Sequence, residues 1–414
     1  MKIAILVIII IAAFLSFLFQ FLNYKNRNAP LPENVKDVFD EDEYKKSKAY
    51  GAVTMRFGML TGLIGLATSL VILGFNLHSR LFYFFAGHTE NYYFQVILMF
   101  VALWFIFMPI DAILGAISTF KIEAKYGFNK TKPITFIADI FKDGLLSGIL
   151  MLGLLSAFIA LFNWLGNWVF IAFFFVLIIF AILLVFSSVL QMRLFYKFTP
   201  LEEGSLRTRA EELAKTLGFP IKRILVLNAS KRSTKSNAFF TGIGRTKTIG
   251  LFDTLLEKFD EDEVLSILAH EIGHAKEKHV VKMILPMLFM FAVVLGAAFF
   301  VVNEPAVSYA FGFTEVNEAF GMYATMILAT PFFLIMGIPQ SVLSRKHEYE
   351  ADQYEVKYVG VGPAVSAIKK LYATDYGNLT PHPLVVKLSY SHPPLTDRVA
   401  AMEKYASSIN STSG

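Results

Sequence analysis

Seven stretches of this chain are apolar almost without interruption: Ile3–Leu22, Phe57–Leu77, Phe94–Ser118, Gly144–Asn163, Trp168–Met192, Met283–Val302 and Ala319–Leu343. A helix needs roughly 20 predominantly apolar residues to cross the hydrocarbon of a bilayer, so each stretch predicts a membrane-spanning helix. Only the third carries a charge, Asp111. An ionisable residue within a span is expected to face a cavity rather than lipid. The first run exceeds the apolar region of a signal peptide and no small-x-small cleavage site follows it, which predicts a retained helix.

The polar positions between these runs set the orientation. Lys25, Arg27, Lys36, Lys45, Lys46, Lys48 and Arg56 separate the first two runs, and Lys121, Lys125, Lys130, Lys132 and Lys142 separate the third and fourth. The other short connections hold Arg80 or no basic residue. Rich and poor loops alternate, so the positive-inside rule places the N-terminus outside. The two long polar segments, Arg193–Lys282 and Ser344–Gly414, are then cytoplasmic. Within them, Thr199–Leu217 has the pattern of an amphipathic helix. Arg223–Asn228, Asn237–Thr241 and Lys247–Phe252 read as strands of a small antiparallel sheet. Asp260 or Asp262 is expected to cap a helix running on to Lys282 and into lipid, and Ser407–Gly414 is a polar tail. The fold class expected is a mainly α membrane protein with an α+β part on its cytoplasmic side.

Composition narrows the chemistry. The chain is 55% hydrophobic and 17% charged, against about a quarter charged in soluble domains. It has no cysteine, so disulfides and thiolate metal sites are excluded and any metal must sit on His, Asp or Glu. The net charge of +5 is accounted for by the basic loops. No basic run interleaved with aromatics points to nucleic acid.

The segment from Leu265 to Ala275 contains His270–Glu271–x–x–His274. Residues four apart on a helix are about 40° apart around the axis and roughly 6 Å along it, so both imidazoles can meet one zinc ion. Glu271, next to the first of them, points beside the metal and can take a proton from its water and deliver it to a leaving amine. Gly273 leaves room close to the backbone. A third ligand is still needed. Position 280 is Val280 rather than His, His279 falls about opposite His270 on a continuous helix, and Glu277 lies a turn beyond His274. The favoured candidate follows the seventh run, where Glu348 and Asp352 share a helix face: one carboxylate can ligate while the other accepts a ligand imidazole's N–H. His347 competes on spacing. Glu350 and Glu355 are expected to be ordinary charged positions of that helix.

These residues resemble a known family, the Ste24-type CAAX prenyl proteases, gluzincin-type membrane metallopeptidases of the M48 class. The resemblance covers nearly the whole chain. It includes Lys125–Tyr–Gly–Phe–Asn–Lys–Thr131, Phe198–Thr–Pro–Leu–Glu–Glu–Gly204, Lys231–Arg–Ser–Thr–Lys–Ser–Asn–Ala–Phe–Phe–Thr–Gly242, Leu251–Phe–Asp–Thr–Leu–Leu256, the His270 helix, Ser344–Asp352 and Tyr390–Arg398. The resemblance implies one zinc ion per chain on His270, His274 and Glu348, with Asp352 supporting a ligand. It implies catalytic roles for Glu271, for His392 as a stabiliser of the oxyanion, and for Arg398 as a holder of the ligand carboxylate. Asn237, Ala238 and Phe239 match an edge strand along which substrate backbone can pair. The implied fold is seven long helices around a water-filled chamber. Residues 1–193 then form an N-terminal membrane region with five helices, and residues 194–414 an M48 peptidase domain that includes the spans 283–302 and 319–343.

The expected function is an integral membrane endopeptidase acting near the C-terminus of proteins. Its substrates are prenylated CAAX proteins or, in quality control, membrane proteins; its setting is lipid, with no nucleic acid. The expected location is the endoplasmic reticulum in a eukaryote and the inner membrane in a bacterium. An HtpX-like quality-control protease would lack the five apolar helices ahead of the zinc helix. A catalytically idle scaffold or transporter would not need Glu271 with a complete ligand set.

Overall fold

The computed structural model describes residues 1–219, 221, 223–241 and 248–412. The N-terminal half is helical: α1 (Lys2–Asn26), α2 (Glu41–Gly74), α3 (Leu77–Ala86), α4 (Tyr92–Ile117), α5 (Pro133–Leu165) and α6 (Val169–Met192). A short strand, β1 (Phe198–Pro200), precedes α7 (Ser205–Thr216). Then come β2 (Arg223–Leu227), β3 (Ala238–Thr241) and β4 (Thr248–Phe252). The remainder is again helical: α8 (Asp253–Lys258), α9 (Glu261–Lys276), α10 (His279–Val302), α11 (Pro305–Ala310), α12 (Glu318–Leu328), α13 (Thr330–Val359), α14 (Val361–Asp375), α15 (Pro383–Ser389) and α16 (Leu395–Thr412).

Among the described residues, five helical runs are long and apolar enough to cross a membrane: Lys2–Asn26, Glu41–Gly74, Tyr92–Glu123, Pro133–Leu184 and His279–Val302. The pair α12 and α13, bent by 47°, makes a sixth if it is one span. The fourth run, at 52 residues, would be about 78 Å of continuous helix at ~1.5 Å per residue, far more than a bilayer core. Gly166, at φ +53°, turns the chain in a tight three-residue helix, Gly166–Trp168, and α6 packs back on α5. The expected single helix over Ala319–Leu343 is thus two helices. Pro331 cannot donate to a preceding turn and fits only the first turn of a new helix, where it sits at the start of α13. From there α13 continues as a single helix, with Pro339 inside it, from Phe332–Leu343 through Ser344–Asp352, so one helix joins the apolar region to the charged segment.

The sheet differs from the expected antiparallel one. Its order is β1-β2-β4-β3; β1–β2 and β3–β4 are antiparallel, but β2–β4 is parallel. The chain between β2 and β4 is long enough to return to the starting end, and turn residues do not reveal which strands become neighbours. The expected helix over Thr199–Leu217 begins only at Ser205, because residues 198–200 are drawn into β1. Lys247, the first residue of the expected third strand, and the last two of the polar tail lie outside the described residues.

The helix through the His pair is not continuous either. Asp260 caps α9 by accepting the Glu263 N–H at 2.9 Å, and Glu263 accepts the Asp260 N–H at 3.1 Å. Such a capping box is worth ~1 kcal/mol. At the other end α9 stops at Lys276, and Lys278 adopts a left-handed conformation, φ +56°, before α10 starts at His279. The apolar face of α9, with Val264, Leu265 and Leu268, is buried with Ile249, Leu251 and Leu255. Another face lies on α13, so close that a side chain at Gly273 would meet Ala351 Cα at 3.3 Å and Tyr354 Cβ at 3.1 Å. The glycine is what lets α9 and α13 approach.

Polar contacts lock the helical half to the sheet. Asp139 on α5 accepts two hydrogen bonds from Arg232, at 2.9 and 3.0 Å. Lys235 reaches Glu123 at 3.2 Å and the Tyr50 hydroxyl at 2.9 Å. Lys130 N–H donates to the Arg232 carbonyl and Thr234 N–H to that of Phe128. Residues 128–131 and 232–234 therefore meet, just ahead of β3. Between α4, α5 and α6 on one side and α10, α12 and α13 on the other, an apolar cavity of about 490 Å³ is lined by residues such as Phe100, Phe158, Phe291 and Tyr323, with Gln340 at its wall.

Candidate active site

The capped, buried start of α9 fixes its rotation, and the i, i+4 spacing then turns His270 and His274 toward α13. Their Nε2 atoms are 3.0 Å apart. From α13, Glu348 brings Oε2 to 3.6 Å of His270 Nε2 and Oε1 to 3.4 Å of His274 Nε2. A tetrahedral zinc with bonds of ~2.0–2.2 Å spaces its ligand atoms about 3.4 Å apart, and the three donors already stand near that spacing. They form a group able to hold a metal ion. His347 does not join them; its ring stacks on His279 at 4.0 Å.

The charge around the donors also suits a cation. Asp352 Oδ1 lies 3.1 Å and Glu355 Oε2 3.5 Å from His270 Nδ1, which is buried and off line for a hydrogen bond with either. Glu348, Asp352 and Glu355 are all buried. Burial works against a charged His270, but these carboxylates outweigh it and hold its proton affinity well above the ordinary imidazole range. Burial and the neighbouring His270 bring His274 down to about 3. The excess positive charge of the pair therefore sits on His270, beside Glu348 and Asp352, whose carboxyls are held low, while burial pushes the Glu355 carboxyl up. Two carboxylates and two imidazoles around one space suit a cation.

Glu271 is half-buried and has no hydrogen-bond partner among the described residues. Burial pushes its carboxyl up to about 7. Arg398, on α16, is buried; its Nε donates to Asp352 Oδ2 at 2.8 Å, Nη2 donates to Asp352 Oδ1, and Nη1 stands 3.3 Å from Glu348 Oε2. His392, just before α16, keeps a 62% exposed side chain with Nε2 3.5 Å from Glu348 Oε1, and Ser391 Oγ is 2.9 Å from its Nδ1.

β3 is an edge strand whose outer side has no strand partner among the described residues. The bond from Phe252 N–H to the Asn237 carbonyl fixes the alternation of the β3–β4 ladder. Asn237 and Phe239 turn their backbone groups to β4, whereas those of Ala238 and Phe240 point to the free edge. The Ala238 N–H is met there by the Asn237 side chain at 2.9 Å. Of the three residues expected to pair with substrate, only Ala238 thus offers outward backbone groups, and Phe240 is the second. The Phe239 ring lies across Gly250, in space that a Cβ there would take, while Phe240 packs against Phe219.

Two groups expected to be ordinary charged positions stand in this neighbourhood. Glu355 is buried, facing His270 and accepting the Ser266 hydroxyl at 2.6 Å. Its signal was present, since Glu348, Asp352 and Glu355 follow the i, i+4, i+7 spacing of one helix face. Glu350 pairs with His279 at 2.9 Å, and His279 meets His274 at 2.8 Å. No spacing rule could have shown this, because the break at Lys278 brings His279 round to His274.

Residues 200–406 match peptidase family M48, and residues 20–197 match the CAAX prenyl protease N-terminal region of five membrane helices. The chain belongs to peptidase family M48. This M48 metallopeptidase is 28% identical to CAAX prenyl protease 1 of Saccharomyces cerevisiae, over 95% of each chain. It is 34% identical to the CAAX prenyl protease 1 homolog of Oryza sativa subsp. japonica, over 69% of this chain and 68% of that one. The crystal structure of S. mikatae Ste24p superposes with a TM-score of 0.92 over 97% of this chain and 99% of that one, at 28% identity. The M48 chain is therefore an integral, multi-pass membrane metallopeptidase with a Ste24p-like fold.

Proposed function

We propose that this M48 peptidase is a zinc endopeptidase that cleaves prenylated CAAX proteins near their C-terminus. The observation that carries this is the convergence of His270, His274 and Glu348 beside an unpartnered Glu271, in a chain matched along almost its whole length by CAAX prenyl proteases. The match of residues 20–197 to the five-helix region supports this reading over an HtpX-like protease, and the complete donor set supports it over an idle scaffold.

Zinc held by His270, His274 and Glu348 would supply Lewis acidity toward water and a peptide carbonyl. Glu271, with no hydrogen-bond partner to hold it and adjacent to the donor His270, takes the proton of the attacking water and returns it to the leaving amine. His392, exposed and close to Glu348, donates to the carbonyl oxygen as it gains charge. Arg398 holds Glu348 and Asp352 in register, and Asp352 steadies His270. The substrate backbone adds to the free edge of β3 at Ala238 and Phe240, whose backbone groups face away from β4, displacing the Asn237 side chain from the Ala238 N–H.

For the membrane arrangement, the turn at Gly166 supports two crossings in the fourth run, and α12 with α13 read as one bent span brings the total to seven, which we place around a barrel-like chamber. The Lys and Arg distribution supports an N-terminus outside and a cytoplasmic site, at the endoplasmic reticulum in a eukaryotic cell. Residues 1–193 form the membrane region and residues 194–414 the peptidase domain.

Purified protein should contain close to one zinc per chain and cleave a farnesylated CAAX peptide. Glu271→Gln should keep the zinc and lose ~10²–10⁴-fold in kcat. Full activity in that variant, or no cleavage by zinc-loaded wild type, would overturn the reading.

A further inference from the structure

Beyond the three donors lies a chain of side chains that the reaction as described does not use. His274 Nδ1 is 2.8 Å from His279 Nδ1, and His279 Nε2 is 2.9 Å from Glu350 Oε2. The three residues come from three helices, α9, α10 and α13. His279 is buried, and the His347 ring lies on it at 4.0 Å with 13° between the planes. Lys282 and Lys346 stand 3.6 and 3.7 Å from Glu350 on its other sides.

We infer that His279 and Glu350 are positioning residues that set the tautomer and ring orientation of His274; this rests on His274 being a metal ligand. A carboxylate can only accept a hydrogen bond, so the proton of His279 lies on Nε2, facing Glu350. The Nδ1 of a neutral His279 is then an acceptor, and the nitrogen facing it, His274 Nδ1, must be the donor. That leaves the His274 Nε2 lone pair directed at Glu348 and His270, where the metal is needed. Each choice follows from the one before, and the order starts at Glu350. A ligating imidazole ordinarily gives its second N–H straight to a carboxylate or carbonyl. Here a second imidazole stands between, brought into place by the left-handed Lys278 that separates α9 from α10.

His279, His347 and Glu350 could also be taken as a second metal site. The stacking argues against it. Imidazole lone pairs lie in the ring plane, and two stacked rings, with centroids 4.0 Å apart and planes 13° from parallel, do not aim their lone pairs at one point. Lys282 beside the carboxylate would also repel an ion.

The test is zinc affinity of the full-length protein in detergent, measured by competition with a chromogenic chelator, with cobalt substitution as a second readout. Wild type must bind zinc; if it does not, the metal-site reading itself fails. His279→Ala and Glu350→Ala should each weaken zinc ~10–100-fold, and the double variant should be no weaker than His279→Ala alone. Glu350→Gln, whose carbonyl still accepts from His279, should restore most of the affinity. In cobalt-loaded protein the slowly exchanging N–H signal of His274 should be present in wild type and absent in His279→Ala. His347→Phe, which keeps the stacked ring without its nitrogens, should bind zinc like wild type. Unchanged affinity in His279→Ala, or additive losses in the double variant, would overturn the inference. A second equivalent of zinc bound by wild type and lost in His347→Phe would overturn it in favour of a second metal site.

Discussion

Arg398 and Asp352 form a buried two-point pair, with Nε donating to Oδ2 at 2.8 Å and Nη2 to Oδ1. The same guanidinium stands 3.3 Å from Glu348, and Asp352 stands 3.1 Å from His270. One residue of α16 thus anchors one metal donor, Glu348, and the carboxylate beside a second, His270.

Removing it should therefore cost more than a surface charge would. Arg398→Ala leaves Asp352 and Glu348 buried without their partner, and a loss of about 3–5 kcal/mol in stability is expected, read as a lower midpoint of thermal unfolding. Arg398→Lys keeps the charge but not the planar fork and should recover only part of it. Wild-type stability in Arg398→Ala would contradict the anchoring role.

Metal binding should be strongly pH-dependent, and its sign follows from His270. In the metal-free protein the carboxylates hold the His270 proton well above the ordinary imidazole range, so binding a cation must expel it. Zinc affinity should then rise by about tenfold per pH unit as pH climbs through neutrality, flattening only above the His270 pKa. Chelation should abolish peptidase activity, and added zinc should restore it. A pH-independent affinity would show that His270 is already neutral.

Gly273→Ala tests the contact between α9 and α13. The new Cβ would press on the Ala351 backbone and Tyr354 Cβ, neither of which can rotate away. Overpacking of this kind costs about 1–3 kcal/mol. It should also loosen zinc, since α9 carries His270 and His274 while α13 carries Glu348. A variant as stable and as tight for zinc as wild type would mean the helices can part without consequence.

Ala238→Pro removes one outward N–H of the β3 edge while leaving the bonds to β4 intact. If substrate pairs there, KM should rise about tenfold or more with little change in thermal stability or zinc content. An unchanged KM would place the substrate backbone elsewhere.

Much of the membrane region was legible in the sequence because the need of ~20 apolar residues is a property of the bilayer, not of the fold. The breaks were partly legible: Pro331 restarts a helix for a covalent reason. Sheet order was not, because whether β2 neighbours β3 or β4 is decided by packing across the intervening chain. Glu355 shares the i, i+4, i+7 spacing of Glu348 and Asp352, but sequence does not say which face of α13 is buried.

The sequence by itself determined that His270 and His274 share a helix face, with Glu271 beside them, because the α-helical repeat follows from covalent geometry and local hydrogen bonding. It also presented Glu348 and Asp352 as one face of a second helix. Only the tertiary structure decided that Glu348 rather than His347 meets the His pair, and that His279 joins His274 to Glu350. Those contacts depend on how α9, α10 and α13 cross. The crossing hangs on the close approach at Gly273 and on a left-handed Lys278, a conformation that lysine has no intrinsic preference for and that only the surrounding fold imposes.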